Sequence, residues 1–161
     1  MTGVQTCALP ILLLVTASVP VATPTVFAAF DAAGAAATRD TAASLATSRH
    51  LAAELGAGLR AADLVVRAGV LAMANDLANV AMELVPGLQP LRRALVSRLR
   101  RSVGLSGSGP TLWALYPSLE AAEAAAGEVR AGLADGSILA PGETAPFVVA
   151  TTIAADGETR P

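Results

Sequence analysis

The chain has 161 residues, 11 basic and 13 acidic side chains and a formal charge of -2; with an isoelectric point near 5.3 it lacks the basic footprint of a nucleic-acid or anionic-membrane binder. One Cys and one His exclude a disulfide framework, a Cys/His zinc centre and a Cys–His nucleophilic pair, and all eleven basic residues are Arg, so no lysine amine is available for chemistry. Apolar residues make up 53% and aromatic ones 3%, so Ala, Leu and Val must build the core; no run reaches the roughly 18 apolar residues of a membrane span, and the surplus implies a face that expects covering.

The length permits one domain. Residues 1–11, MTGVQTCALPI, resemble throughout the one-frame translation of a short-read sequencing adapter. We therefore expect 1–11, with Cys7, to lie outside the fold, a domain over 12–155 and a polar tail over 156–161, the protein being cut off on its N-terminal side. The competing reading is a signal peptide with Leu9 to Val15 as its apolar stretch, but no basic residue precedes Arg39. The cytoplasm is the default compartment.

Ile11 to Val15 predicts a buried strand, and Pro20 and Pro24 a loop after it. Thr23 as N-cap and Pro24 at the first helical position predict a short helix through VFAAFD. It sets Phe27 and Phe30 three apart, either as core anchors or with one ring lining a pocket for a planar ligand. Residues 32–47 predict a mobile connection or a weak helix. From His50, Leu51, Leu55 and Leu59 recur at helical spacing, and His50 itself carries no catalytic role. LAMANDLANVAMELVP predicts one helix with Leu71, Asn75, Leu77, Val80, Ala81 and Leu84 on its apolar side, Met73 and Met82 as gap fillers, and Pro86 and Gly87 ending it.

The next predicted helix, from about Leu88 to Arg101, carries Leu88, Leu91, Leu95 and Leu99 as one stripe. Arg92, Arg93, Arg98, Arg100 and Arg101 lie off it, either as a solvated face complementing the helix C-terminus or with the last of them near an anion held by the loop at Ser106. That loop, SGSGPT, comprises Ser106, Gly107, Ser108, Gly109, Pro110 and Thr111 and sits between the apolar runs VGL and LWALY. Its glycines permit positive φ and close approach, and Pro110 fixes the exit, so it is either a tight hairpin or a nest of backbone N–H groups facing an anion. After it Thr111, Trp113 and Leu115 share one strand face, with Leu112, Ala114 and Tyr116 on the other. Ser118 then caps a helix with Leu119, Ala122, Ala126, Val129 and Leu133 as its stripe; Gly136 and Pro141 mark a loop, and FVVATTI a last strand. The order predicts an α+β domain of the ferredoxin-like sort, an antiparallel sheet with helices on one face.

VGLSGSGPTLWALY followed by an Ala-rich helix resembles the third motif of the galactokinase, homoserine kinase, mevalonate kinase and phosphomevalonate kinase superfamily, located in the C-terminal domain of those enzymes. With VATPTVFAAFD, NDLANVAMELVPGLQPLRRAL and the closing ATTI strand, the stretch from about Leu12 to Ile153 is similar to the family of 4-diphosphocytidyl-2-C-methyl-D-erythritol kinases of non-mevalonate isoprenoid synthesis. The resemblance implies that Phe27 stacks on the substrate's cytosine, with Thr23 and Pro24 shaping the wall, and that Ser106 to Thr111 packs against the phosphate-binding loop of an N-terminal domain. It implies ATP and Mg2+ as cofactors of the intact parent and 4-diphosphocytidyl-2-C-methyl-D-erythritol as substrate. The catalytic Lys and Asp and the phosphate loop would belong to the N-terminal domain; nothing here matches them, so no catalytic residue and no metal ligand is assigned and the chain alone is expected to be inactive. The run RRSVG lacks the small residues expected before the loop, and residues 32–63 carry no matching motif. Another kinase of the superfamily, such as homoserine kinase, or a non-catalytic α+β ligand-binding module remains as an alternative.

Overall fold

Alternation along ILLLVT makes β1 (Ile11–Thr16), in which Ile11, Leu13 and Val15 are buried and their neighbours half-buried. Residues 11–34, 41–57 and 61–152 are described by the structure, a computed structural model; the adapter-like segment up to residue 10, with Cys7, and the polar tail lie outside the described residues. Ile11, its last residue, opens β1 and pairs with Tyr116 and Thr152. The other strands are β2 (Gly104–Leu105), β3 (Thr111–Tyr116) and β4 (Phe147–Thr152), in the order β2-β3-β1-β4 with every pairing antiparallel. The two later-paired strands flank β1, so the sheet has the ferredoxin-like order.

Between β1 and β2 run α1 (Thr23–Ala32), α2 (Thr41–Gly56), α3 (Ala61–Val66), α4 (Ala68–Met73), α5 (Ala78–Leu84) and α6 (Leu88–Leu99); α7 (Leu119–Ala134) joins β3 to β4. Register puts Leu13 opposite Ala114 and Ala150, and Val15 opposite Leu112 and Val148. This face packs under α6 and α7. Leu88, Leu91 and Leu95 of α6 are almost wholly buried, each worth roughly 1.5–3 kcal/mol of transfer free energy. The α7 stripe differs from the expected one: Ala122, Ala125, Ala126, Val129 and Gly132 are buried, Leu133 is half-buried and Leu119 is exposed. Small side chains win the sheet-facing positions because they let the helix axis approach, and a Cβ on Gly132 would already overlap Ile138. Ser118 caps α7 as expected, accepting from the Ala121 N–H at 3.2 Å.

Two long helices expected from periodicity are broken. The run from His50 divides into the end of α2, then α3 and α4, and the run from Leu71 parts at Ala74 and Asn75. Within residues 32–47, helix begins at Thr41; residues 35–40 lie outside the described set. His50 is exposed inside α2, 3.6 Å from Glu54, which also pairs with Arg67. The other sheet face presents Leu12, Leu14, Trp113 and Val149 half-buried and Phe147 exposed, while Leu115 is buried beside Val65 of α3. No helix among the described residues is long and apolar enough to cross a membrane.

Candidate functional site

β2 and β3 are too close in sequence for anything but a tight connection, and SGSGPT supplies one. The Ser106 N–H donates to the Thr111 carbonyl at 2.9 Å and the Gly109 N–H to the Ser106 carbonyl at 2.9 Å, while Gly107 and Gly109 take φ of +54° and +87°. Of the two readings left open by the sequence, the structure has the hairpin. The peptide between Gly109 and Pro110 is cis. At the foot of the hairpin Thr111 meets Thr16 across the strands, hydroxyl to hydroxyl at 3.0 Å.

Asn75 fastens the hairpin from outside. Its Nδ2 donates to the Leu105 carbonyl at 2.9 Å and the Gly107 carbonyl at 2.7 Å, and its Oδ1 accepts from the Leu77 N–H at 3.1 Å. Both donors and the acceptor of one amide are thereby used. Sequence periodicity had placed Asn75 on a helix's apolar side. The signal that finds it is the pair Asn75-Asp76: such residues bond the backbone two positions on and compete with the helix.

The sequence put Thr23 at the cap of α1, but the helix starts one residue earlier. Ala22 is the N-cap, Thr23 and Pro24 form the first turn, and Ala22 makes no side-chain capping bond. The Thr23 hydroxyl, released from capping, lies 2.9 Å from the Ser108 hydroxyl at the hairpin tip. The two groups of candidate residues, 85 positions apart, therefore meet. Phe27 stands one helical turn beyond Thr23 on the same stripe, and half of its surface is exposed, whereas Val26 is the fully buried anchor of α1 and Phe30 is half-buried against the core. Of the alternatives for the two rings, Phe30 packs on the core and Phe27 faces solvent beside the hairpin end.

Gly104 explains how VGL enters the hairpin. It lies opposite Trp113, and any Cβ there would overlap the indole. RRSVG thus carries its needed small residue in the last position. The arginine alternatives are also decided: Arg92 donates from Nε to the Val103 carbonyl at 2.8 Å, Arg98 to the Ser137 hydroxyl at 3.2 Å, and Arg101 sits 4.6 Å from the centroid of the Tyr116 ring. Tyr116 ends the strand that Thr111 begins, so Arg100 and Arg101 lie at the far end of β3, roughly 17 Å from the hairpin at about 3.4 Å per residue. An anion shared between them and the loop is ruled out by that separation. Burial pushes the Tyr116 hydroxyl's pKa up, opposed in part by Arg101 and assisted by Glu128.

The described residues gather no group of three His, Cys, Asp or Glu side chains suited to a metal ion. What the hairpin end offers is a rigid, neutral wall of small residues and hydroxyls with one exposed ring beside it.

Residues 50–135, more than half of the chain, match the family model described as GHMP kinases C terminal. The matched span runs from α2 to the end of α7 and includes Asn75 and the hairpin. A solved homoserine kinase from Cytophaga hutchinsonii is similar in fold, with a TM-score of 0.57 at 19% identity over 91% of this chain. The chain spans 42% of that kinase's length. No curated protein gives a significant sequence match.

Proposed function

The chain belongs to the GHMP kinase C-terminal family, and from that premise we propose that it is the C-terminal domain of a kinase that moves the γ-phosphoryl group of ATP, with magnesium, to the 2-hydroxyl of 4-diphosphocytidyl-2-C-methyl-D-erythritol. The observation that carries the substrate is Phe27: an exposed ring, in a chain of 3% aromatic content, beside the Thr23–Ser108 contact. A flat heteroaromatic base stacked on that ring gains on the order of 1 kcal/mol beyond area burial. Thr23 and Pro24 form the wall next to it. Ser106 to Thr111 present a fixed surface of small residues to the phosphate-binding loop of an N-terminal domain, where two backbones approach closely.

Phosphoryl transfer needs positioned charge around the γ-phosphate and an oriented nucleophile. The chain has no lysine, and on this reading the Lys and Asp that activate the acceptor, the magnesium ligands and the ATP loop come from the N-terminal domain, so this chain alone does not turn over. Leu12, Leu14, Trp113, Val149 and Phe147 form the apolar surface for that domain to cover, and the compartment is the cytoplasm. Homoserine kinase, whose fold is similar, is the second reading; its small acceptor has no base for Phe27 to hold.

The test joins this chain to the N-terminal domain of a GHMP kinase and measures ATP-dependent phosphorylation of 4-diphosphocytidyl-2-C-methyl-D-erythritol and of homoserine in parallel. Turnover of the first acceptor supports the proposal and turnover of homoserine replaces it by the second reading. Turnover by the unjoined chain would overturn the division of labour.

A further inference from the structure

The C-terminal end of α6 is chemically unlike the rest of the molecule. Five of the eleven basic residues, Arg92, Arg93, Arg98, Arg100 and Arg101, fall within ten positions; Arg92 donates to a carbonyl, Arg98 to a hydroxyl with Asp135 close enough to feel its charge, and Arg101 lies over an aromatic ring. In a chain of formal charge -2 this run is a local excess of positive charge. Glu128 of α7 acts on Tyr116 through space but does not reach ion-pair distance from Arg101.

Those arginines border a concave surface. A cleft of about 210 Å³ is walled by Val65 and Ala68 on one side and by Arg100, Arg101 and Ser102 on the other, with Leu115 below. It is continuous with a broader groove of about 440 Å³ along α6 through the same three residues, joined there by Val96 and Ser97. No carboxylate lines either. Arg101 lies over the Tyr116 ring, a contact that steadies its guanidinium beside the cleft. Arg100 is the one non-glycine residue with positive φ, +52°, among the described residues, at a helix-ending position where glycine costs nothing and a Cβ is strained.

We propose that the cleft between α3–α4 and the α6–β2 connection binds a small phosphate-bearing anion, independently of the hairpin end of the sheet. Arg100 and Arg101 supply charge-assisted donors in a fork suited to phosphate oxygens, and the Ser102 hydroxyl a third donor. The cleft volume suits a phosphate or diphosphate group, and the adjoining groove leaves room for whatever organic part the group carries. The inference does not rest on the kinase reading.

Calorimetric titration of the full chain with inorganic phosphate, pyrophosphate and glycerol 3-phosphate, at ionic strength held constant with sodium chloride, tests it. We expect saturable one-site binding, with pyrophosphate tighter than phosphate if the free anion is the ligand and glycerol 3-phosphate tightest if an organic phosphate is. Arg100→Gly should weaken binding about five- to tenfold while leaving the thermal midpoint unchanged or higher, so that lost binding cannot be lost folding. Arg101→Ala should weaken it as well, and Arg49→Ala, which removes the same charge from α2, should leave it unchanged. Absence of saturation, or Arg100→Gly binding as tightly as the parent, or Arg49→Ala weakening it equally, overturns the proposal.

Discussion

The two ends of β3 use polar side chains in opposite ways. At the hairpin end the hydroxyls of Thr23 and Ser108 and of Thr16 and Thr111 pair with each other, and Asn75 spends its whole amide on main-chain groups. At the Tyr116 end Arg101 lies over the Tyr116 ring and, with Arg100, borders the cleft above Leu115. Neutral hydrogen bonds hold a shape without drawing in counterions, whereas clustered guanidinium groups create a field that attracts anions. On the two proposals, the first end presents a fixed surface for docking and the second attracts an anion.

Perturbations of different size should expose that contrast. The largest effect is expected at Gly104, where Gly104→Ala drives a methyl into the Trp113 indole and should cost about 2–3 kcal/mol by overpacking. Urea unfolding followed by Trp fluorescence measures it, since Trp113 is the sole tryptophan. Gly107→Ala meets no neighbour within 4 Å, so only its positive φ opposes the change, at about 1 kcal/mol. Asn75→Ala should lose about 1–2 kcal/mol and, more diagnostically, speed amide hydrogen exchange in the hairpin more than in β1. Asn75→Asp should be no better, because a carboxylate would face the Leu105 and Gly107 carbonyls.

Smaller effects sharpen the other end. Arg100→Gly relieves a left-handed cap residue and should raise stability by about 0.5–1 kcal/mol in denaturant titration, the opposite sign from the hairpin glycines. Tyr116 carries the pH response. Its pKa is raised in the folded protein, so its contribution is intact below the unfolded value near 10 and falls away as pH rises through the folded one. The thermal midpoint should hold to about pH 9.5 and then drop, and Tyr116→Phe should remove part of that drop. The smallest effect is the Thr23–Ser108 coupling, on the order of 0.5 kcal/mol in a double-mutant cycle because both hydroxyls are near solvent.

Much of the fold was legible because strand alternation and turn chemistry are local. ILLLVT, TLWALY and FVVATT read directly as strands, SGSGPT as a bend between two of them, and the order of elements then left the ferredoxin-like sheet. The helices between Thr41 and Leu84 were read poorly because an Ala-rich sequence gives nearly any window helical periodicity, and the breaks are set by tertiary demands such as the Asn75 bonds to the hairpin. The α7 stripe misled for a related reason: leucines dominate a count of apolar residues, but close packing on a sheet selects Ala, and Gly132 is needed where Ile138 and Arg98 crowd the helix. At the site, Phe27 and the hairpin were visible as residue types, and their meeting through Thr23 and Ser108 was not, since sequence offers no signal for a contact 85 positions long. The arginine cluster was visible as charge, while the place of Arg100 and Arg101 at the far end of β3 followed only from register and the Tyr116 contact.

The central claim, that the Phe27 and hairpin end forms the wall of a base-recognising kinase site, is tested most directly by equilibrium binding of 4-diphosphocytidyl-2-C-methyl-D-erythritol to the two-domain protein, comparing Phe27→Ala and Phe27→Tyr with the parent. The account predicts about five- to tenfold weaker binding for Phe27→Ala, equivalent to the roughly 1 kcal/mol of lost stacking, and near-parent binding for Phe27→Tyr. Equal affinity of Phe27→Ala and the parent, with the fold intact, would contradict it.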